Sequence, residues 1–486
     1  MPRGLRRGIP RPASSLARVL PLVACLAGPR VGAQEPPAPP AAEEPPPGAE
    51  QAAPPQVVVE DDAPPDGAPL EALTAGAEAE PGAEDAAKTE PPEPPPDCAG
   101  RFTPPAAPLH ATDLNGVRLQ DTCFSGEEHH VFVIGDWGGI MKDGQPPVPA
   151  DHRAPGFKHE REFVDGVDDC AQQRVAEQMK ARAGEKNPDY VINLADNFYW
   201  AGIDTQCGGP CYEFADDTGQ WAQGFENVYN GPGLDGKQWL GVLGNHDYGG
   251  WMFNKGWDRI VAYTWASDRW MTPALYWAAK VNYGDFTVDY FFTDSNVWDT
   301  WEPDSDEEAS HNICGRKHNE EGASCGPQGP ESLEACPGWF KNLWSQQWEW
   351  LEKELPLSDA DWKVVVTHFP PIIPKWGSDD WAGLANAHGI DLFISSHIHQ
   401  QQVIPPNAPG NLLGGAAIII SGGGGGVTSE DPPNPGGDDD QYGFFDITFS
   451  ASEISIDAIT HGGQVRGTTK IFPRRRRLGA QSEMVI

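Results

Sequence analysis

Short apolar runs recur along the chain after about residue 120, and several of them stop abruptly at a polar side chain. An apolar run of about four to eight residues is typical of a strand that is buried on both faces. Polar groups directly after such strands predict a functional site built from strand ends. The residues at these ends are Asp136, Asp196, Asn245, His368 and His397.

Helical patterns separate these runs. Ala171, Val175 and Met179 recur at helical spacing, and Pro188 ends that pattern. The segment WSQQWEWLEKEL also predicts a helix, and at least seven strand candidates remain. The outer candidates alternate in polarity, whereas the inner ones are continuously apolar. This pattern predicts an α/β fold over residues 124–472, in which two mixed β-sheets pack as a sandwich flanked by helices.

The two ends of the chain differ from this region in composition. Residues 1–33 join an arginine-rich start to an apolar run and small residues, which predicts a secretory signal peptide and a secreted or secretory-pathway location. The apolar run is shorter than the roughly 20 residues that a bilayer span needs, so no stable membrane span is expected. Residues 34–97 hold sixteen acids and one lysine, which predicts a disordered acidic arm. Residues 473–486 are predicted to be a basic, solvated tail.

The charge of the chain restricts its partners. The formal net charge is −37 at pH 7. Nucleic acid is therefore excluded as a natural partner, because such binding depends on neutralising phosphates. An anionic substrate would have to be held by something locally positive.

Cysteine usage agrees with export. Eight cysteines remain after removal of the signal peptide, and an even number in an exported chain predicts disulfides. Three of them lie in residues 296–340, a polar, glycine-rich segment that is predicted to be an insertion stapled to the surface. A zinc site is the alternative, but its spacing is not a standard one, so disulfides are favoured. Its ligands would be Cys314, His318, Cys325 and Cys336.

Each polar strand end also has a simpler explanation when it is taken singly. An aspartate after a strand is usually a turn or helix-cap residue. His397 and His399 are two apart, so on a strand both would point to one face, as joint metal ligands do, but an exposed strand end explains the pair equally well. The glycine run after AAIIIS fits no phosphate-loop spacing and is interpreted as a loose turn. Together with Tyr199, however, the polar ends supply enough donors for two metal ions.

Five motifs carry a resemblance to a known family. In this order they resemble the ligand blocks of the calcineurin-like metallophosphoesterases, and in particular of the small, tartrate-resistant type of purple acid phosphatase. Tyr199 narrows the resemblance, because the wider superfamily lacks a tyrosine ligand at this point. The motifs are GDWG at 135–138, DNFYWAG at 196–202, GNHD at 244–247, VVVTHFP around His368 and HIH at 397–399.

The resemblance implies a binuclear centre of Fe(III) and a divalent iron, zinc or manganese ion. The ligands that it implies for Fe(III) are Asp136, Asp196, Tyr199 and His399. For the divalent ion they are Asn245, His368 and His397, with Asp196 bridging the two ions. Phenolate and carboxylates suit Fe(III), whereas imidazoles and an amide oxygen suit the divalent ions. His246 would contact the phosphate and protonate the leaving alcohol.

The implied function is a secreted acid phosphatase that hydrolyses phosphate monoesters, with a hydroxide formed at the metals as the nucleophile. One alternative is a phosphodiesterase or nucleotide hydrolase on the same scaffold, with a cleft reshaped by the insertion at 296–340. The other is an inactive phosphate-binding protein that has kept the fold. The intact set of implied ligands argues against the inactive protein.

Three positions depart from the family pattern. Members usually carry glycine before the bridging aspartate and before the HxH pair, where this chain has Ala195 and Ser396. If either position needs a positive φ, the added side chain would strain the ligand that follows. Phe369 stands where plant-type members have a second histidine, so one substrate contact is absent.

Overall fold

The computed structural model describes residues 100–139, 161–305 and 312–474. Within these ranges, fifteen strands form two mixed sheets, which confirms the predicted fold class. The predicted signal peptide, the acidic arm and most of the basic tail lie outside the described residues. No helix among the described residues has both the length and the apolar character that crossing a bilayer would require.

One sheet has seven strands in the order β15-β14-β13-β3-β4-β5-β6. Its strands β3 to β6 are parallel neighbours, and β13 adds antiparallel to β3. The bounds are β3 His129–Ile134, β4 Tyr190–Asn193, β5 Trp239–Gly241, β6 Trp270–Met271, β13 Gly443–Phe449, β14 Ile454–Thr460 and β15 Val465–Ile471.

The other sheet has eight strands in the order β1-β7-β8-β9-β10-β12-β11, and β2 also pairs with β7. Its centre, from β8 through β9 and β10 to β12, is parallel. The bounds are β1 Val117–Arg118, β2 Thr122–Cys123, β7 Trp277–Asn282, β8 Thr287–Phe292, β9 Trp362–Val366, β10 Leu392–Ser395, β11 Gln401–Ile404 and β12 Ala417–Ser421.

The two sheets share one apolar core. Val133 and Ile192 of the first sheet belong to the same buried cluster as Val364 and Ile394 of the second. All four side chains are fully buried, and each such side chain contributes roughly 1.5–3 kcal/mol of hydrophobic free energy. The shared core therefore holds the two sheets together and fixes the positions of their strand ends relative to each other.

Four α-helices occur among the described residues, and the sequence indicates two of them. The first covers the predicted positions Ala171, Val175 and Met179, all of which are buried. The third begins at Cys336, so the last residues of the predicted insertion at 296–340 are helical. The helices are α1 Ala171–Lys186, α2 Trp257–Ala262, α3 Cys336–Glu354 and α4 Ser378–His388.

The folded region extends before residue 124, where the sequence places its start. Strands β1 and β2 pair with β7, and Phe102 is buried in the core between the sheets. Short strands of two residues carry little periodicity, so the alternation that marks the longer strands cannot reveal them.

The insertion at 296–340 is stapled by two disulfides, Cys207–Cys325 and Cys314–Cys336. The alternative of a zinc site on Cys314, His318, Cys325 and Cys336 is therefore wrong. Cys123 is disulfide-bonded as well. Cys211 is a buried thiol, so the expectation that all eight cysteines pair is wrong for this residue.

Candidate metal centre

The predicted site residues come together at the carboxyl ends of parallel strands from both sheets. Asp136, Asp196 and Asn245 follow β3, β4 and β5, which are adjacent in one sheet. His368 and His397 follow β9 and β10, which are adjacent in the other. Parallel neighbours end at the same edge, and the shared core brings the two edges together. The structure thus places these five residues at strand ends that lie close together.

A first group of donor atoms surrounds the Tyr199 hydroxyl. It lies 3.0 Å from Asp136 Oδ1 and 2.9 Å from Asp196 Oδ2, and it donates to these carboxylates. His399 Nε2 lies 3.4 Å from the same hydroxyl and 3.5 Å from Asp136 Oδ1. Burial, together with the two carboxylates, raises the pKa of Tyr199 well above its usual value. A bound cation would favour the phenolate that this environment otherwise disfavours.

A second group surrounds His368 Nε2. This nitrogen lies 3.1 Å from Asn245 Oδ1, 3.3 Å from His397 Nδ1 and 3.5 Å from Asp196 Oδ2. His368 Nδ1 contacts the carbonyl of Leu194 at 2.9 Å, which places the ring proton on Nδ1 and leaves Nε2 as an acceptor. His368 Nε2, Asn245 Oδ1 and Asp196 Oδ2 are buried acceptors that face one another, and a cation at this point would offset their mutual repulsion.

Asp196 Oδ2 belongs to both groups, because it lies 2.9 Å from Tyr199 Oη and 3.5 Å from His368 Nε2. The other carboxylate oxygen, Oδ1, instead accepts a hydrogen bond from the backbone N–H of His246 at 3.0 Å. Residues of the first group would hold one cation and residues of the second group another, and Asp196 is within reach of both. Hard oxygen donors dominate the first group, and nitrogen donors with an amide oxygen dominate the second.

Asp247 links the two loops that carry Asp196 and Asn245. The residue belongs to the GNHD motif, but the sequence did not indicate this role. Its carboxylate is fully buried and accepts backbone N–H groups of Asp196, Asn197 and Gly244 at 2.8–3.0 Å. These bonds connect the loop after β4 to the loop after β5. The spacing between Asp196 and Asn245 is therefore fixed by the protein itself.

The HIH motif is not part of a strand. Strand β10 ends at Ser395, and His397 has a left-handed backbone with φ of 68°. His397 Nδ1 consequently faces the second donor group, whereas His399 Nε2 faces the first. The expectation of two imidazoles on one face of a strand is wrong, because the turn separates them. Glu430, which the sequence did not indicate, accepts the backbone N–H of His399 at 3.0 Å.

The two small-residue replacements differ in their backbones. Ala195 has φ of 81°, so the left-handed condition is met directly before Asp196. Ser396 has no positive φ. Its hydroxyl donates a hydrogen bond to Leu194 O at 2.8 Å. The departure at Ser396 thus adds a contact beside His368, and of these two positions Ala195 is the one with a left-handed backbone.

Substitution of Ala195 should show this strain. A left-handed backbone costs an L-residue roughly 1–2 kcal/mol, and glycine removes this cost. Glycine also removes a buried methyl group and orders a more flexible chain on folding, and these two losses offset the gain. We expect Ala195→Gly to change the free energy of unfolding by less than about 1 kcal/mol. The matched control is Ala279→Gly in β7, because Ala279 is also fully buried but has no positive φ. In this variant the free energy of unfolding should fall by about 1.5 kcal/mol. Equal losses in urea unfolding would contradict the strain at Ala195.

The glycine run after β12 packs backbone against the ligand loops. A Cβ on Gly424 would lie 2.2 Å from Gly135 O, and one on Gly426 would lie 2.6 Å from the Tyr199 ring. Gly426 also donates its N–H to Asp136 O at 2.8 Å. These glycines allow a close approach that no larger residue permits. The run is therefore closely packed, and its interpretation as a loose turn is wrong.

Gly426→Ala should move the Tyr199 ring, since the added methyl would otherwise overlap it. We expect the free energy of unfolding to fall by about 1–3 kcal/mol, the usual cost of overpacking. The control Gly338→Ala places a methyl in open space on α3, so it should maintain or raise stability. Thermal unfolding of both variants measures the difference. A Gly426→Ala protein as stable as the control would contradict the close packing.

His246 lies beside both donor groups. Its Nδ1 is 2.6 Å from Trp200 O, and its ring centroid is 4.4 Å from that of Tyr199. Burial lowers the pKa of His246, so its imidazolium form is populated only in acid. The contact to Trp200 places one ring proton on Nδ1, and the imidazolium would carry the second on Nε2. Only the imidazolium can therefore donate from Nε2.

A cleft of about 360 Å³ opens over this centre. Its only lysine or arginine among the described lining residues is Lys375, in a short helical turn at Pro374–Trp376. Trp298, Trp301, Lys375 and Trp376 carry no signal in the sequence, because they come from two separate segments and belong to none of the five motifs. Beyond the donor side chains, the walls include Trp200, Trp298, Trp301, Phe369, Lys375 and Trp376.

A model of the family described as calcineurin-like phosphoesterase matches residues 129–401, which include both donor groups and more than half of the chain. The chain belongs to this family. Membership of this family makes the chain a phosphate ester hydrolase, as the resemblance of the five motifs implies. The matched region starts at β3 and ends at β11, so it carries every strand end that supplies a donor.

Relatives of this phosphoesterase include two groups of acid phosphatases. Tartrate-resistant acid phosphatase type 5 of Rattus norvegicus is 24% identical over 280 residues, 56% of this chain and 67% of that protein. Purple acid phosphatase 7 of Arabidopsis thaliana is 26% identical over 284 residues, 56% of this chain and 65% of that protein. The predicted likeness to purple acid phosphatases is confirmed.

Two solved structures resemble this phosphoesterase. GAP50, the anchor in the inner membrane complex of Plasmodium, is 15% identical with a TM-score of 0.45, over 72% of this chain and 90% of GAP50. The purple acid phosphatase PPD1 from yellow lupin (Lupinus luteus) seeds is 14% identical with a TM-score of 0.39, over 73% of this chain and 56% of PPD1.

Proposed function

We propose that this phosphoesterase is an exported acid phosphatase that hydrolyses phosphate monoesters at a centre of Fe(III) and a divalent iron, zinc or manganese ion. The observation that carries the proposal is the position of Asp196 Oδ2 in both donor groups. The two groups together hold seven donor side chains, which is the kind of ligand set that a pair of closely spaced cations needs. The relatedness to acid phosphatases supports the choice of substrate.

The proposed ligands follow the two groups of donor atoms. When bound, the two cations would supply Lewis-acid polarisation of the phosphoryl group and a nucleophile at mild pH. Export is supported by the disulfides Cys207–Cys325 and Cys314–Cys336, which are stable in an oxidising compartment. Residues 1–33 would act as the leader and residues 34–97 as an acidic arm. The proposed ligands are Asp136, Asp196, Tyr199 and His399 for Fe(III), and Asp196, Asn245, His368 and His397 for the divalent ion.

The other residues orient and protonate the substrate. His246 is held by its backbone N–H on Asp196 and by its ring on Trp200 O, so the imidazole has one orientation. In its imidazolium form it would donate a proton from Nε2 to the leaving oxygen. Lys375 would supply the local positive charge that an anionic substrate needs on an acidic protein.

His246→Asn should affect substrates according to their leaving groups. Alkoxide leaves poorly without a proton, whereas p-nitrophenolate leaves well without one. We expect kcat for glycerol phosphate to fall by about 10²–10⁴-fold, and kcat for p-nitrophenyl phosphate to fall by less than about tenfold. Steady-state kinetics at pH 5 measures both. Equal losses on the two substrates would contradict a role for His246 as proton donor.

The proposal as a whole is tested with the exported chain, offered p-nitrophenyl phosphate and bis(p-nitrophenyl) phosphate. Metal content is measured on the same sample by mass spectrometry. We expect two metals per chain, one of them iron, and turnover of the monoester. Turnover of the diester alone would instead support a phosphodiesterase. No turnover at any pH with two metals bound would support an inactive binding protein.

A further inference from the structure

Asn296 lies in the short turn that follows β8, and its side chain is fully buried. Its Nδ2 donates a hydrogen bond to Leu243 O at 2.8 Å, and Leu243 lies two residues before the proposed ligand Asn245. The same Nδ2 donates to Asp294 Oδ2 at 3.1 Å, and the backbone N–H of Asn296 donates to Asp294 Oδ1 at 2.9 Å. These bonds give the amide one orientation, so it holds the loop after β5 at a fixed point.

Ser295 makes the corresponding contact to the other sheet. Its hydroxyl is buried and accepts the backbone N–H of Phe369 at 2.9 Å, and Phe369 directly follows the proposed ligand His368. Asn245 follows β5 of the seven-stranded sheet, whereas His368 follows β9 of the eight-stranded sheet. Because Ser295 and Asn296 are neighbours in the chain, one short segment holds a ligand loop from each sheet.

This connection bears on the second donor group more than on the first. Asn245 Oδ1 and His368 Nε2 come from different sheets and lie 3.1 Å apart, so a small shift of one sheet relative to the other would change their distance. Three of the four donors of the first group, by contrast, follow two adjacent strands of one sheet. These three donors are Asp136, Asp196 and Tyr199.

Gln347 of α3 anchors the segment. Its Oε1 accepts the backbone N–H of Asp294 at 2.6 Å, and its Nε2 donates to Asp294 O at 2.9 Å. The hydroxyl of Tyr248, three residues after Asn245, also donates to the Asp294 carboxylate at 2.9 Å. Gln347 is fully buried, so water does not compete for these bonds. Helix α3 is thus bonded, through Asp294 and Asn296, to the loop that carries Asn245.

We propose that Asn296 is a positioning residue for the divalent ion and that Gln347 holds it in place from α3. The proposal rests on the proposed function, since it concerns the same two-metal centre. Without the amide, the buried carbonyl of Leu243 would lose this donor, and leaving such a group without a donor is costly. The loop would move to recover a donor and would displace Asn245 from His368. Groups that orient metal ligands typically contribute about 10–100-fold to metal affinity.

The affinity for Zn²⁺ tests this role without any substrate. The full exported chain is loaded with iron, the divalent ion is removed with a chelator, and Zn²⁺ is titrated in by calorimetry. Asn296→Leu has a similar size but cannot donate, and we expect it to raise the dissociation constant of Zn²⁺ by about 10–100-fold. Gln347→Leu removes the anchor and should raise it by about tenfold. The iron content, measured by mass spectrometry, should equal that of the unaltered chain in both variants.

Gln238→Leu is the matched control for Gln347→Leu. Gln238 is also a buried glutamine that bonds to the backbone N–H and carbonyl of a single residue, Phe102, at 2.7 and 3.0 Å. It directly precedes β5, so it lies at the end of that strand opposite to Asn245. Thermal unfolding should show a comparable loss of stability in the two glutamine variants. Gln238→Leu should nevertheless keep the Zn²⁺ affinity of the unaltered chain.

An unchanged Zn²⁺ affinity in Asn296→Leu would overturn the positioning role. Equal losses of iron and Zn²⁺, or an equal loss of Zn²⁺ affinity in Gln238→Leu, would also overturn it, because either would show a general loosening of the fold. If Asn296→Leu does not fold, Gln347→Leu decides by the same criteria.

The positioning role and the proposed function can fail separately. Selective loss of Zn²⁺ affinity in a chain that hydrolyses no monoester would retain the role and reject the function. Hydrolysis of the monoester with two metals, together with unchanged Zn²⁺ affinity in the variants, would retain the function and reject the role. An unaltered chain that binds no Zn²⁺ beside iron would overturn both.

Discussion

Replacing Asp196 with asparagine is expected to lower kcat for p-nitrophenyl phosphate by at least about 10³-fold, equivalent to ~4 kcal/mol. The side chain has the same shape, but it loses the negative charge that two cations would share. Its Oδ2 lies within 3.5 Å of donors from both groups, so the change reaches the whole centre at once. Metal content should fall together with activity.

The control for this prediction is Asp204→Asn. Asp204 is an exposed aspartate that pairs with Lys255 at 3.0 Å and does not line the cleft. Exposed ion pairs contribute little, so this variant should keep its metals and its kcat. An Asp196→Asn protein with both metals and nearly full activity would show that Asp196 is not the shared ligand.

Replacing Tyr199 with phenylalanine is expected to abolish the visible absorption of the oxidised protein. A phenolate bound to Fe(III) absorbs visible light by charge transfer, so the unaltered chain should be purple. The variant retains the ring, which is buried and contacts His246, and loses only the hydroxyl. The fold should therefore persist, and the far-ultraviolet circular dichroism should be unchanged.

Tyr248→Phe is the matched control. Tyr248 is also buried, and its hydroxyl donates to a carboxylate, Asp294 Oδ2, at 2.9 Å, but neither residue belongs to the donor groups. This variant should lose a comparable hydrogen bond and keep its colour. An unaltered chain that holds iron and is colourless would remove Tyr199 from the ligand set. A purple Tyr199→Phe variant would do the same.

The strand ends could be predicted because burial on both faces leaves a visible pattern. The runs before Asp136, Asp196, Asn245 and His368 are mostly apolar, and neighbouring parallel strands end at the same edge of a sheet. The motifs at those ends could then be interpreted together. Pattern and chemistry indicated enough donors for two ions, and the family resemblance implied how those donors divide into two groups.

Features that depend on backbone geometry could not be predicted in the same way. The HIH motif has the spacing of a strand, yet the left-handed turn at His397 sends the two imidazoles to different groups. The glycine run has no sequence feature that distinguishes a loose turn from close packing against Tyr199. Only the approach of another segment decides between these possibilities.

The cleft walls were missed for a related reason. Trp301 and Trp376 are 75 positions apart and belong to different segments, which only the folded chain brings together. The insertion was predicted to be a surface element, but its first residues form one wall of the cleft. A site that is built from single residues on separate loops has no characteristic spacing in the sequence by which it could be recognised.

The most direct test of the account is anomalous diffraction from crystals of the metal-loaded protein, with data collected on both sides of the iron absorption edge. The account predicts two metal peaks, roughly 3.5–4 Å apart, with the Asp196 carboxylate in contact with both and Tyr199 at the iron. A single metal peak, or two peaks of which only one contacts Asp196, would contradict it.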